Sequence, residues 1–202
     1  MSRTRSNLSL FLAVVVLSGS AACLQGQNQT AALSDKLIPN VELIDQHGHT
    51  VHFYTDLVKG KVVAINTIFT TCTTICPLMG ARFAKLSRLI QDADPSKVRL
   101  ISISIDPLTD TPEKLDEWSH KFGNVGPAWT LLTGKKDDVD SLLKALEIFT
   151  ADKQEHTPVV LIGVGGSTDW ARASALLPPA KIADLIHARL ASATTNHAAA
   201  RP

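Results

Sequence analysis

Two cysteines stand four residues apart in Thr70-Thr71-Cys72-Thr73-Thr74-Ile75-Cys76-Pro77, after an apolar β-type run and before a helix-type run. On one turn of helix, positions i and i+4 share a face, so the two sulfurs can meet one small target or each other. The chemistry open to them is soft-metal binding or dithiol redox. A helix amino terminus favours thiolate over thiol through its unpaired N–H groups and dipole, and thiolate is the form that binds metal or attacks a disulfide. Two inert packing cysteines are the blander alternative, against which the Thr-rich surroundings speak.

His156, in Gln154-Glu155-His156-Thr157-Pro158, is the next residue with chemistry to offer. The strand that follows it lies, in a βαβ…ββα sheet, beside the strand that ends at the cysteines, so the loop carrying His156 can face them. Two thiolates and one imidazole suit copper: the sulfurs favour Cu(I), and the nitrogen helps the site tolerate Cu(II). Zinc accepts the same atoms but usually asks for a fourth ligand or water. A surface histidine with no ligand is the competing reading.

The elements that must position these residues are legible from periodicity. Val41 to Ile44 and Val51 to Phe53 flank Asp45-Gln46-His47-Gly48-His49 as a β-hairpin with its turn at Gly48. Lys61 to Phe69 and Val98 to Ile105 are apolar runs of the kind found in strands buried on both faces. Met79, Phe83, Leu86 and Ile90 mark a helix that starts at Cys76, with Pro77 suited to its first turn. Leu115, Trp118 and Phe122 predict a second helix, Trp129 to Leu132 a short strand, and Val139 to Leu146 a third helix. Val159 to Ile162 and Thr168 to Ala171 form a closing hairpin, followed by a helix carrying Ile182, Leu185, Ile186 and Leu190. This order predicts an α/β fold with a central mixed sheet flanked by helices, the cysteine junction lying on its carboxyl edge.

A chain of 202 residues that is 45% hydrophobic can bury one real core. Its 20 basic and 19 acidic side chains nearly cancel, and no basic run interleaved with aromatics appears, so nucleic acid is excluded as the expected partner. Met-Ser-Arg-Thr-Arg, the apolar stretch from Leu8 to Leu17 and the small residues before Cys23 have the layout of a secretory signal. Residues 1–22 are therefore expected to be a signal peptide, of ordinary or lipoprotein type. Cys23 is the lipidation candidate, 23–36 a flexible tether, 37–192 the domain and 193–202 a disordered tail.

Four stretches resemble the Sco/SenC copper-assembly proteins, which have a thioredoxin-like fold. They are the segment ending Asp45-Gln46-His47-Gly48, then Gly60-Lys61-Val62-Val63, Cys72-Thr73-Thr74-Ile75-Cys76-Pro77, and Asp106-Pro107-Leu108-Thr109-Asp110-Thr111-Pro112-Glu113. The resemblance spans roughly residues 37–190 and implies a thioredoxin-like domain with an N-terminal β-hairpin extension. It implies Cys72, Cys76 and His156 as ligands of one copper, Cu(I) or Cu(II). The partner it implies is cytochrome c oxidase subunit II, or another copper-accepting envelope protein. The expected location is the periplasmic side of a bacterial envelope, with or without a lipid anchor.

Family members commonly carry Asp before the ligand His, where this chain has Glu155. Thr157-Pro158 looks like the cis-proline loop of thioredoxins. That likeness keeps open a thiol-disulfide oxidoreductase using Cys72 and Cys76 with Pro158 as loop proline. A redox- or copper-sensing binding module is the third alternative. The Asp106–Glu113 carboxylates read as structural, Asp110 or Thr111 capping a helix and Glu113 favouring its dipole. His47, His49 and His52 read as solvent-facing hairpin residues, and Trp118, Trp129 and Trp170 as core or rim aromatics.

Overall fold

The computed structural model describes residues 38–123, 126–168 and 170–199, with side chains through 193. The expected signal peptide, Cys23 and the tether lie outside the described residues. Strands β1 (Glu42–Asp45), β2 (Thr50–His52), β3 (Val62–Ile68), β4 (Val98–Ser104), β5 (Trp129–Thr133), β6 (Val159–Val164) and β7 (Trp170–Ser174) form one sheet. Its order is β2-β1-β5-β4-β3-β6-β7. The helices are α1 (Cys76–Leu89), α2 (Pro112–His120), α3 (Lys136–Ala145) and α4 (Pro179–Ala199).

Every residue of β3 is buried, Asn66 and Thr67 included, as a mostly apolar run requires of a strand covered on both faces. β3 pairs in parallel with β4, which pairs in parallel with β5, while β6 joins β3 antiparallel and β7 joins β6 antiparallel. Parallel partners end on the same edge of a sheet, and an antiparallel neighbour begins there. The segments after β3 and β4 and the one before β6 therefore meet at the edge where Cys72, Asp106 and His156 lie.

The hairpin turns at Gly48, whose φ of 82° is a conformation that a side chain disfavours. Helix α1 packs on α4, and its Gly80 leaves the space into which the Trp118 and Phe122 rings of α2 and its C-terminal turn project. Trp129 completes this aromatic cluster, 6.0 Å from Phe83 and 6.3 Å from Trp118 between ring centroids. All three tryptophans are buried.

Arg172 of β7 reaches the carbonyls of Leu146 and Glu147 at the end of α3, on the side of the sheet that Leu161 faces. The register puts Ile162 with Ala64 and hence with Asn66 and Ser102, so α3 and α1 cover opposite faces. Two expectations need correcting. The helical backbone continues through Ala199 where a structureless tail from 193 was expected, in keeping with the high helix propensity of its alanines. The last strand is displaced toward the C-terminus relative to the predicted Thr168 to Ala171.

Candidate functional site

α1 begins at Cys76, with Ile75 as the flanking residue and Pro77 in the first turn. Cys72 precedes the helix, so the two sulfurs do not share a helical face. The Cys76 N–H donates to the Cys72 sulfur at 3.4 Å, and the Thr74 hydroxyl lies 3.6 Å from the same atom. The Cys72 sulfur thus occupies the place of a capping oxygen on the open first turn.

Both cysteines are free thiols and both are buried, against the expected exposure of a Thr-rich loop; Thr71, Thr73 and Thr74 are exposed in their stead. The helix terminus activates only one of them. Burial by itself raises the Cys72 thiol, but hydrogen bonds from Cys76 and Thr74 outweigh it and hold it at about 7. Burial pushes Cys76 up to about 12, reinforced by its hydrogen bond to Cys72. One sulfur is a thiolate near neutrality and its partner a protected thiol.

His156 is buried against them, with its Nε2 3.6 Å from the Cys76 sulfur. Its Nδ1 lies 2.9 Å from the Lys153 carbonyl, which can only accept, so Nδ1 carries the proton and Nε2 presents a lone pair. The Phe69 ring meets the imidazole edge-on at 5.5 Å between centroids. Glu155 is exposed, and the orienting partner of the imidazole is the Lys153 carbonyl instead. The Thr157–Pro158 bond is trans, as are all peptide bonds among the described residues, which removes the expected likeness to a cis-proline loop.

Metal bonds of about 2.3 Å to sulfur and about 2.0 Å to nitrogen at tetrahedral to trigonal angles put the two donors about 3.5–3.7 Å apart. The Cys76–His156 separation of 3.6 Å fits. Among the described residues no three His, Cys, Asp or Glu side chains already converge as a metal cage. The Cys72 sulfur is turned onto the helix N–H, and rotation about its side chain is what ligation by all three residues requires.

A set of residues that sequence reasoning did not place in the site holds its loops together. Asp110 is completely buried and caps nothing; Thr111 caps α2 by accepting from the Lys114 N–H. Asp110 instead accepts from the Thr70 N–H at 3.1 Å, the Thr70 hydroxyl at 2.5 Å and the Ser104 hydroxyl at 2.6 Å. It thereby ties the end of β4 to the turn that carries Cys72. Asp106 binds the Lys153 ammonium at 2.6 Å, joining the same loop to the segment that carries His156. The polar Ser104 at the end of an apolar strand was the available signal for the first of these contacts.

The SCO1/SenC family model matches residues 29–164. The chain belongs to the SCO1/SenC family. Curated SCO1 and SCO2-like relatives align over part of their length. The chain is 38% identical over 76 residues to an SCO1 protein homolog of Bacillus subtilis, spanning 39% of that protein. Among solved structures, a SCO1/SenC family lipoprotein from Bacillus anthracis has a TM-score of 0.65 at 26% identity, covering 79% of this chain and 99% of that one. BsSco, a member of the Sco family of cytochrome c oxidase assembly proteins with an identified disulfide switch, has a TM-score of 0.63 at 24% identity, covering 78% and 93%. Arabidopsis thaliana ScoI with copper bound has a TM-score of 0.61 at 20% identity, covering 77% and 99%. This SCO1/SenC member therefore has the thioredoxin-like fold of its family. No helix among the described residues is long and apolar enough to cross a membrane.

Proposed function

We propose that this protein is a copper metallochaperone that holds one copper ion through Cys72, Cys76 and His156 and passes it to the binuclear copper site of cytochrome c oxidase subunit II. The observation that carries the reading is the His156 Nε2 lying 3.6 Å from the buried Cys76 sulfur while Nδ1 is held by the Lys153 carbonyl. The copper-bound plant ScoI and the oxidase-assembly role named for BsSco support it. The leader-like residues 1–22 support export to the periplasmic side of the envelope, where lipid attachment at Cys23 would tether the domain beginning near residue 37.

Loading releases between one and two protons near neutrality, because Cys72 is only partly thiolate there and Cys76 must lose its hydrogen as the metal binds. Release runs by ligand exchange. An incoming client thiolate attacks the ion, the imidazole leaves as the weakest donor, and the metal passes through a mixed intermediate without becoming free. Titration of the reduced domain with Cu(I) against a calibrated chelator tests this. One-to-one Cu(I) binding that is lost in Cys76→Ser is expected, with Cu(II) binding weakened in His156→Ala in a parallel titration, and equal Cu(II) affinities for wild type and His156→Ala would overturn the three-ligand site.

A thiol-disulfide oxidoreductase is the second reading, favoured by the split between Cys72 at about 7 and Cys76 at about 12. Cys72 would attack a client disulfide, and Cys76, deprotonated as the client thiolate departs, would close the mixed disulfide. Reduction of an oxidised oxidase-subunit peptide, abolished by Cys72→Ser, is the expected signature; no reduction by the wild-type dithiol would remove this reading.

A further inference from the structure

The turn Lys153–Glu155 that precedes His156 has no buried residue of its own. Its attachment is the Lys153 side chain, which binds Asp106 at 2.6 Å and lies over the Phe69 ring at 5.4 Å from the centroid. The carbonyl of the same residue accepts the His156 Nδ1–H. Asp106 is fixed in turn, its N–H donating to Ser104, whose hydroxyl donates to the buried Asp110. Phe69 closes the circuit: its ring touches the imidazole, and its carbonyl accepts the Cys72 N–H at 3.2 Å.

We propose that the Asp106–Lys153 ion pair is a positioning device for His156, which latches the imidazole in the tautomer and direction needed for a third ligand and so sets how firmly copper(II) is kept. It rests on the copper reading for its consequence, not for its geometry. Lys153 touches neither sulfur nor metal; it acts through the carbonyl it places. With the latch broken, the turn swings away from the pocket, Nδ1 loses its fixed acceptor, and two thiolates remain. Two thiolates suffice for Cu(I), whereas Cu(II) depends on the nitrogen, so the pair separates the two oxidation states. An outer partner of this kind typically commands about 10- to 100-fold in metal binding.

The test compares wild type with Lys153→Met, Asp106→Asn and Lys153→Arg, first without metal. Nitrogen NMR of His156 at about pH 8 is expected to show one Nδ1–H tautomer in wild type and Lys153→Arg, and a tautomer mixture in the other two. Copper(II) release to a chelator is then expected to speed up at least about tenfold in Lys153→Met and Asp106→Asn and to return toward wild type in Lys153→Arg. Their Cu(I) affinity is expected to stay within about threefold, because both sulfurs are untouched.

An unchanged tautomer and release rate in Lys153→Met overturns the proposal, and so does an equal loss of Cu(I) and Cu(II), which marks a mere structural prop. If wild type binds no copper, the carrier reading fails while the metal-free tautomer result still decides the latch. Should the variants not fold, raising salt from about 0.05 to about 1 M on wild type weakens this partly exposed pair, and an unaltered tautomer under that change overturns it.

Discussion

The cluster of Cys72, Cys76 and His156 and the hairpin of His47, His49 and His52 each hold three side chains able to bind a soft or borderline metal, but the two sets sit in opposite environments. In the pocket all three residues are buried, and the imidazole nitrogen that lacks a proton faces a sulfur. In the hairpin the side chains are 58%, 74% and 53% exposed, and each ring leans on its own carboxylate: Asp116, Asp45 or Asp56. Nearness in sequence made the hairpin conspicuous. In the cluster, sheet register brings His156 to Cys76 across eighty residues of chain.

The hardest test of this contrast exchanges the two regions in a copper assay. Cys76→Ser is expected to weaken Cu(I) binding by at least about a thousandfold, beyond the reach of outer groups. The combined His47→Ala, His49→Ala and His52→Ala variant should stay within about twofold, since it removes only exposed imidazoles. Loss of copper in the triple variant would erase the distinction.

Within the pocket, alkylation should discriminate the two sulfurs. In reduced metal-free protein at about pH 8, Cys72 should react about a hundredfold faster than Cys76, as mass spectrometry of the modified peptides will report, its rate rising with a midpoint near 7. Because the folded Cys72 pKa is depressed, its thiolate adds stability that is complete above the ordinary thiol value of about 8.5 and fades as pH falls through about 7. Cys76, raised to about 12, has the opposite sign and costs stability above about 8.5. The urea midpoint should therefore climb between about pH 7 and about pH 8.5, and Cys72→Ser should flatten that climb.

The scaffolds of the two regions should differ as well. Asp110→Ala strands the Thr70 N–H and the hydroxyls of Thr70 and Ser104 in a buried setting, and about 2–3 kcal/mol should be lost in urea denaturation. The smallest change is expected from His120→Ala, whose exposed ring leans on Asp116 at 3.5 Å; it should shift stability by less than about 0.5 kcal/mol.

Most of the frame was readable from periodicity, because burial imposes it residue by residue. The mostly apolar run of β3 and the i, i+4, i+7, i+11 stripe of α1 each point to a buried environment, and both stand as expected. The site was readable only in its donors. Asp110 and Thr111 both sit where a cap belongs, and Thr111 is the cap, while the partner of Asp110, Thr70, is forty residues away and reached only through the β3–β4 register. Cys72 escaped as a helix cap because capping is sought among oxygen side chains, and a sulfur filling that place leaves no pattern in composition. Lys153 carries no pattern in the sequence, and only the structure brings Asp106 to it.

The distance along the chain between Cys76 and His156, eighty residues, also sets an order of assembly. The cysteines are neighbours in the unfolded polypeptide and can capture a metal or each other at any time, but the imidazole arrives only once β6 has docked on β3, a long-range pairing of the kind that folds late. A copper ion held by all three side chains thus certifies a finished domain. A partly folded chain, holding the ion by sulfur alone, would surrender it to the nearest competing thiol.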